Sequence, residues 1–161
     1  MKMEIRLSLV EDYPGMVAIE NSIWNDLNTP SVTTYNSVAE FQLRYPTGSH
    51  LVAVENGEVL GLLGFHPPTG LVAHQRTWLL DIGVLPSAQG RGVGNLLVSK
   101  LKELAKERGI HKLSLRVLGT NEGAIRFYKR HGFVEEGVLK DEFWIKDRYV
   151  EDVFMGYLLN K

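Results

Sequence analysis

The sequence predicts an α+β fold, a mixed and largely antiparallel central sheet flanked by helices, on three observations. Strand patterns, in which apolar and polar residues alternate, and helix patterns, in which apolar residues recur at helical spacing, follow each other along the chain. Asn56-Gly57 separates two apolar runs, which indicates a hairpin because both turn residues need a positive φ. Two more strand patterns meet at Lys146-Asp147. Strands joined by turns this short pair antiparallel.

The first third of the chain predicts a strand, two helices and the hairpin. Asp12 is placed to cap the first helix, which Pro14 enters, and apolar residues follow at helical spacing. A polar loop separates this helix from the next. The other elements expected here are a strand over residues 5–9, a helix over 37–45, and strands over 51–54 and 59–63.

The remainder of the chain continues the alternation. Glycine is the favoured residue just after a helix, and Gly109 and Gly132 each follow a helical pattern. The expected elements are a strand over residues 78–84, a long helix ending before Gly109, a strand over 113–117, a helix ending before Gly132, and final strands over 134–139 and 149–158.

Composition predicts one domain over residues 1–161 and excludes several functions. Lys and Arg number 18 against 19 Asp and Glu, so bulk positive charge for a nucleic-acid partner is missing. The absence of cysteine excludes disulfides, thiolate metal sites and a cysteine nucleophile. We find no signal-peptide pattern and no apolar run near the roughly 18 residues of a membrane span. We therefore expect a cytoplasmic protein without a membrane partner.

The five histidines predict no metal site. His50, His66, His74, His111 and His131 are scattered, without the spacing of metal ligands. His131 ends a predicted helix, where its charge favours the helix dipole.

The most informative segment is the glycine turn, residues 89–94, which joins a buried strand to a helix. Three of its residues are glycine, which lets backbone N–H groups approach a ligand closely. The helix N-terminus adds donors and partial positive charge, and Arg91 adds a cation. The turn is therefore a candidate phosphate site, and the alternative is a tight turn that only changes the chain direction.

Two known phosphate motifs do not fit the glycine turn. A P-loop requires Gly-Lys followed by Ser or Thr, whereas Gly94 is followed by Asn95. A dinucleotide fingerprint requires glycine where Asn95 stands and an acidic residue about 20 positions further on, where no convincing one occurs. A nucleotide-binding module is therefore disfavoured.

A different pattern fits two blocks of the sequence. Gln89, Gly92 and Gly94 match Gln/Arg-x-x-Gly-x-Gly/Ala between a strand and a helix, and residues 121–128 followed by Gly132 form a second block. In this order and spacing the blocks resemble the GNAT superfamily of N-acetyltransferases. The resemblance implies the GNAT fold with a splayed strand pair, and acetyl-CoA as co-substrate with no metal.

The resemblance also implies which residues bind acetyl-CoA. Backbone groups of one strand would hold the pantetheine arm, and one N–H there would polarise the thioester carbonyl. Amides of the glycine turn would hold the pyrophosphate. Asn121 would cap its helix and touch the cofactor at once. The implied cofactor residues are Ile82, Gly83, Val84, Gln89, Gly90, Arg91, Gly92, Val93, Gly94, Asn121 and Tyr128.

The resemblance assigns Tyr128 as the general acid that protonates the departing thiolate, the alternative being a core aromatic residue. Many members carry a glutamate base on the strand before the glycine turn, but the only carboxylate here is Asp81. Asp81 is therefore the candidate general base. Binding a cationic amine and pairing with Arg76 are its alternatives. Other acidic candidates are Glu20, Glu40, Asp141 and Glu142.

The acceptor is expected to be a primary amine on a small molecule, amino acid, polyamine or peptide N-terminus. Without cysteine, direct transfer in a ternary complex is the economical mechanism. Aromatic and acidic residues suit an amine, and equally suit a core with charged turns. They are Trp24, Tyr35, Phe41, Phe143, Trp144 and Tyr149 with Asp26, Asp141, Glu142 and Asp147. The alternative function is a non-catalytic acyl-CoA-binding or regulatory domain of the same fold. A homodimer is possible, because dimers are common in the family that the sequence resembles.

Overall fold

The computed structural model describes residues 2–159, so Met1, Asn160 and Lys161 lie outside it. The strands are β1 (Glu4–Leu7), β2 (His50–Glu55), β3 (Glu58–His66), β4 (Thr77–Val84), β5 (Lys112–Leu118), β6 (Val134–Ile145) and β7 (Arg148–Leu158). The helices are α1 (Tyr13–Ile23), α2 (Val38–Arg44), α3 (Val93–Glu107) and α4 (Glu122–Arg130). No helix within residues 2–159 is long and apolar enough to cross a membrane.

The strands form one sheet in the order β1-β2-β3-β4-β5-β7-β6. β1–β2, β2–β3, β5–β7 and β6–β7 pair antiparallel, whereas β4–β5 pairs parallel. The prediction of an α+β fold with a mixed, largely antiparallel sheet is confirmed.

The pairing of β4 with β5 is short. Residues 77–79 of β4 pair with residues 112–114 of β5, and the register between the two strands ends there although β4 continues to Val84. Backbone N–H and C=O groups that leave a ladder need another partner. Residues 80–84 lie beyond this ladder, and the splayed strand pair that the resemblance implies stays a prediction.

The hairpin of β2 and β3 contains a bulge that resets its register. Its turn is the predicted Asn56-Gly57, with φ of 53° and 76°. Between Ala53 and Val54 the pairing shifts by one residue. His50 consequently lies opposite Gly64 rather than opposite Leu63, where a regular two-residue hairpin would place it.

Residue contacts divide the chain into two compact units. The first contains the residues up to Ile23, Thr33–His66 and Leu80–Gly109. The second contains Trp24–Val32, Pro67–Leu79 and the residues from Ile110 onward. The expectation of a single domain over residues 1–161 stays a prediction.

The core of the first unit is built around Phe41, which is fully buried. Its ring contacts those of Tyr13, Tyr35 and Tyr45 at centroid distances of 5.9, 5.0 and 4.8 Å. Tyr35 is buried as well. Of the two interpretations open for Tyr35 and Phe41, the aromatic core is the one observed.

The second unit carries the final hairpin. Lys146 and Asp147 form its turn, as predicted, with φ of 48° and 60°. The predicted end of the strand at Leu139 is wrong, because β6 continues to Ile145 through a register irregularity between Leu139 and Phe143. That irregularity interrupts the alternation on which the prediction relied. Trp144 and Tyr149 are exposed beside the turn, and their rings meet edge to face with centroids 4.9 Å apart.

The prediction that Asp12 caps α1 is wrong. Its buried carboxylate accepts the Leu9 N–H at 2.7 Å and the Arg6 guanidinium at 2.6 and 3.0 Å. Burial by itself would raise the pKa of Asp12, but the hydrogen bonds from Arg6 and Leu9 outweigh it and lower that pKa. The carboxylate thus anchors β1 to the 3-10 turn Val10–Asp12.

We predict that Asp12→Ala lowers the free energy of unfolding by about 2–3 kcal/mol, because charge-assisted hydrogen bonds are lost. Since the folded-state pKa of Asp12 is depressed, the contribution is present above the unfolded pKa near 4. It disappears as the pH falls through the folded pKa. Urea unfolding at pH 7 and pH 3 measures the loss of stability and its dependence on pH. Glu11→Ala, at the exposed neighbouring residue, is the control. An Asp12→Ala protein that loses no more stability than Glu11→Ala would contradict the prediction.

Candidate functional site

The glycine turn enters α3 without a side-chain cap. Gly92 is the N-cap residue of α3, with φ of 81°, and supplies no side-chain hydrogen bond to the first turn. An L residue is strained at this φ, so glycine is needed at position 92. A Cβ built at Gly90 or Gly92 would have no atom within 4 Å. The N-terminus of α3 is therefore open above the turn.

Close packing holds this helix end against the sheet. A Cβ at Gly61 of β3 would lie 2.7 Å from Val93 Cγ1 and 3.2 Å from the Gly83 carbonyl oxygen. Leu85 N–H also donates to the Leu60 carbonyl oxygen at 2.8 Å. The backbone donors of the α3 N-terminus are thus held in place beside the end of β4. Such a helix end favours anions through its N–H groups and its dipole.

The side chain of Arg91 is committed to a neighbour. Its Nη2 donates to both carboxylate oxygens of Glu55, at 2.9 and 2.8 Å. Glu55 ends β2, so the ion pair ties the glycine turn to the hairpin. Backbone amides therefore supply most of the field that an anion would meet at the turn.

Asp81 lies on β4 of the first unit, with its Oδ1 beside Gly64 of β3, and the residue as a whole is exposed. Partial burial of the carboxylate raises the pKa of Asp81 to about 6, and the interaction with His66 opposes the rise only in part. The pairing of Asp81 with Arg76 that the sequence left open is not among the ion pairs of the described residues.

Gly64 makes room for the carboxylate. A Cβ at Gly64 would lie 2.6 Å from Asp81 Oδ1 and 3.0 Å from His50 Nε2. The absence of a side chain at this position lets a carboxylate from β4 and an imidazole from β2 converge over β3. Sequence reasoning missed His50, because it treated the histidines only as candidate metal ligands.

Tyr45 lies close enough to Asp81 to feel its charge. Burial, together with a hydrogen bond with Tyr35, raises the pKa of Tyr45 to about 12, and the charge of Asp81 acts in the same direction. The Tyr45 hydroxyl therefore stays protonated at neutral pH and can act as a donor.

The second sequence block forms α4 in the second unit. Asn121 caps this helix as predicted, since its Oδ1 accepts the Ala124 N–H at 3.3 Å. Tyr128 is 8% exposed, and its ring lies 5.2 Å from that of Phe127 and 5.6 Å from that of Phe133. Tyr128 is consequently held in one orientation by aromatic packing.

The structure distributes the predicted site residues between the two units. Asp81, Ile82, Gly83, Val84 and residues 89–94 belong to the first unit, and Asn121 and Tyr128 belong to the second. Glu40 accepts the Asn36 N–H at 2.8 Å at the start of α2, which is a capping role. Asp141 and Glu142 are exposed on β6.

Comparison with known proteins adds three findings. The sequence model of the acetyltransferase (GNAT) family matches residues 13–133. L-amino acid N-acyltransferase MnaT of Escherichia coli is 30% identical over 158 residues, 96% of this chain and 88% of MnaT. N-acetyltransferase MJ1207 of Methanocaldococcus jannaschii is 39% identical over 90 residues, and the match spans 49% of this chain and 39% of that relative.

A solved structure agrees with these matches. The acetyltransferase YncA from Salmonella typhimurium, solved with its cofactor acetyl-CoA, superimposes with a TM-score of 0.85. It is 25% identical in sequence, and the alignment covers 100% of this chain and 96% of that chain.

We predict that Asp81→Asn stabilises the protein at pH 8 by about 1 kcal/mol, a modest gain because the carboxylate keeps solvent contact. The raised pKa means that the folded state holds its proton more tightly than the unfolded state. The cost of the ionised carboxylate therefore develops between about pH 4 and pH 6 and stays constant above. Urea unfolding at pH 4 and pH 8 measures the difference.

The matched control is Glu58→Gln, which removes the charge of an exposed carboxylate at the start of β3. It should change the stability by less than about 0.5 kcal/mol at either pH. An Asp81→Asn protein that is less stable than wild type at pH 8 would overturn the assignment of a desolvated carboxylate.

Proposed function

Because the chain belongs to the acetyltransferase (GNAT) family, we propose that it transfers the acetyl group of acetyl-CoA directly to a primary amine in a ternary complex. As a member of that family it is an acetyl-CoA-dependent N-acetyltransferase. The proposal concerns the residues that act, the direct transfer in a ternary complex and the kind of acceptor. The single observation that carries the proposal is the place of Asp81, a carboxylate on the strand that leads into the glycine turn.

The residues of the first unit suit acetyl-CoA. The uncapped N-terminus of α3 offers amides to a pyrophosphate, and residues 80–84 offer a strand edge to an extended pantetheine arm. We assign Ile82, Gly83 and Val84 to the pantetheine and residues 89–94 to the pyrophosphate. Bound acetyl-CoA supplies an activated thioester carbonyl, and the YncA structure, solved with acetyl-CoA, supports acetyl-CoA as the co-substrate.

Asp81 acts as the general base. An amine attacks only after it has lost its proton, and Asp81 takes that proton, directly or through a water molecule. A base with a pKa of about 6 is ionised at neutral pH and remains basic enough to accept a proton. Burial therefore tunes Asp81 toward the work that a glutamate performs in many family members.

Tyr128 acts as the general acid. Its hydroxyl donates a proton to the sulfur that leaves the acetyl group, so that CoA departs as a thiol. Packing against Phe127 and Phe133 restricts the ring and leaves the hydroxyl as the one reactive atom of the side chain. Asn121 supports this role by fixing the start of α4.

The acceptor is a small primary amine, and free L-amino acids are the first class to test. The support is the match to MnaT, an L-amino acid N-acyltransferase aligned over nearly all of this chain. Polyamines and peptide N-termini are the other acceptors in the test. A homodimer and a cytoplasmic location stay predictions from the sequence.

Calorimetry and a thiol assay test the function. Titration with acetyl-CoA should show saturable binding. The protein is then assayed for release of free CoA with each member of a panel of L-amino acids, polyamines and peptides. We expect release only with the amines that accept the acetyl group. Failure of acetyl-CoA to bind at millimolar concentration would refute the proposal. Binding without CoA release from any amine would leave a cofactor-binding protein and contradict the assignment of Asp81.

We predict that Tyr128→Phe lowers kcat by about 100-fold, because the leaving sulfur loses its proton donor. The Kd for acetyl-CoA should change less than twofold, since the ring and its packing remain. Stopped-flow detection of CoA measures the chemical step. Tyr157→Phe is the control, because it removes a hydroxyl from a ring that also packs on Phe133. Equal rates of the chemical step in wild type and Tyr128→Phe would exclude the acid role.

We predict that kcat/KM rises with pH through an apparent pKa near 6 and reaches a plateau above it, because the base must be ionised. Asp81→Asn should lower kcat/KM on the plateau by at least about 100-fold. Asp81→Glu, which keeps a carboxylate, should recover part of the activity. A limb near pH 6 that persists in Asp81→Asn would show that another group titrates.

A further inference from the structure

We propose that His50 is a positioning residue for Asp81: its neutral imidazole presents Nε2–H to the Asp81 carboxylate across Gly64 and keeps that carboxylate ionised and oriented. The inference rests on the proposed function, in which Asp81 is the general base. It adds His50, a residue of β2, and assigns to it the orientation of the Asp81 carboxylate.

The first support is the row of residues that crosses three neighbouring strands. His50 on β2 pairs with Gly64 on β3, and Asp81 lies beyond Gly64 on β4. Asp81 Oδ1 and His50 Nε2 are the two polar atoms nearest the point where a Gly64 Cβ would be, at 2.6 and 3.0 Å. Any other residue at position 64 would push the two side chains away from each other.

The second support is the confinement of the imidazole. His50 is 4% exposed, and its ring lies 5.8 Å from that of Phe41 and 5.1 Å from that of Tyr45. On its other edge, Nδ1 lies 2.7 Å from Ser49 Oγ. The aromatic rings and the hydroxyl together confine the imidazole, whose Nε2 lies on the side of Gly64.

The third support is the protonation state of the ring. Burial, with the positive charge of His66 acting in the same direction, lowers the pKa of His50 to about 4, so the imidazole is neutral at pH 7. A neutral imidazole carries one N–H, and a Ser49 hydroxyl that donates to Nδ1 places that proton on Nε2. The donor then lies beside Gly64, where Asp81 Oδ1 also lies.

A neutral donor suits a general base better than a cation does. An imidazolium beside Asp81 would depress the pKa of the carboxylate strongly and weaken it as a base. A neutral N–H stabilises the ionised form more gently and fixes its direction. The other groups that face this pair are His66 on β3 and the Tyr45 hydroxyl after α2, which Tyr35 contacts.

Two substitutions at position 50 separate polarity from shape. His50→Phe keeps a ring between Phe41 and Tyr45 but removes both nitrogen atoms, whereas His50→Gln keeps an N–H donor. Carboxyl-carbon NMR of the unliganded protein measures the pKa of Asp81 without any need for activity. The pH dependence of kcat/KM then measures the same group during turnover.

We expect His50→Phe to raise the pKa of Asp81 by about one pH unit, because a hydrogen bond to the ionised form is lost. The acidic limb of kcat/KM should move upward by the same amount, and kcat should fall about tenfold. His50→Gln should keep the pKa and the limb near the wild-type values. Ser49→Ala should move both in the direction of His50→Phe, and it serves as the second test if His50→Phe does not fold.

Val52→Ala is the structural control. Val52 is buried on β2 two residues from His50 and belongs to the hydrophobic cluster around Phe41. Its truncation should lower stability without moving the pKa of Asp81 or the limb. His66→Asn should also raise the pKa of Asp81, and the rise should add to that of His50→Phe because the two groups act separately.

The two readouts separate this inference from the proposed function. An unchanged Asp81 pKa in His50→Phe overturns the role of His50, even if the wild type acetylates amines with an Asp81-dependent limb. A raised pKa in a protein that acetylates no amine supports the His50–Asp81 interaction and overturns the proposed function. A shift of equal size in Val52→Ala also overturns the role of His50, because it would show a general loosening of β2.

Discussion

Backbone hydrogen bonding along β4 is the constraint on which the candidate site depends. The strand pairs with β5 only at residues 77–79, and a buried N–H or C=O group that leaves a ladder must find another partner. Residues 80–84 are held from the other side, where Leu85 N–H bonds to the Leu60 carbonyl and Gly61 lets α3 approach closely. These contacts hold the end of β4 against β3 and α3, and in the proposed site the other edge of residues 80–84 receives the extended ligand.

Main-chain groups explain how a nearly neutral chain serves an anionic co-substrate. The formal net charge is −1, and the nearest cation of the glycine turn, Arg91, is paired with Glu55. The amides at the N-terminus of α3 attract an anion without a charged side chain, because the aligned peptide dipoles of the helix give this end a partial positive charge. Gly92 makes the arrangement accessible, since its backbone takes a conformation that other residues avoid.

Two carboxylates of the first unit differ in how their charge is stabilised. Asp81 is exposed as a residue, yet partial burial of its carboxylate raises its pKa toward neutrality. Asp12 is fully buried, but the hydrogen bonds from Arg6 and Leu9 lower its pKa. The contrast shows that the hydrogen-bond partners, and not burial alone, separate a structural carboxylate from one suited to proton transfer.

The sequence by itself determined the order of strands and helices, the Asn56-Gly57 turn, the cap at Asn121 and the glycine motif of the family. These features depend on residues close together in the chain, where periodicity and turn chemistry act. Only the tertiary structure decided that Phe41 is core, that Arg91 pairs with Glu55, and that His50 and Asp81 both lie beside Gly64. The last depends on a bulge at Ala53 and Val54 that shifts the register by one residue. The bulge changes the cross-strand partner of each β2 residue from His50 to Ala53, so only the folded pairing reveals these partners.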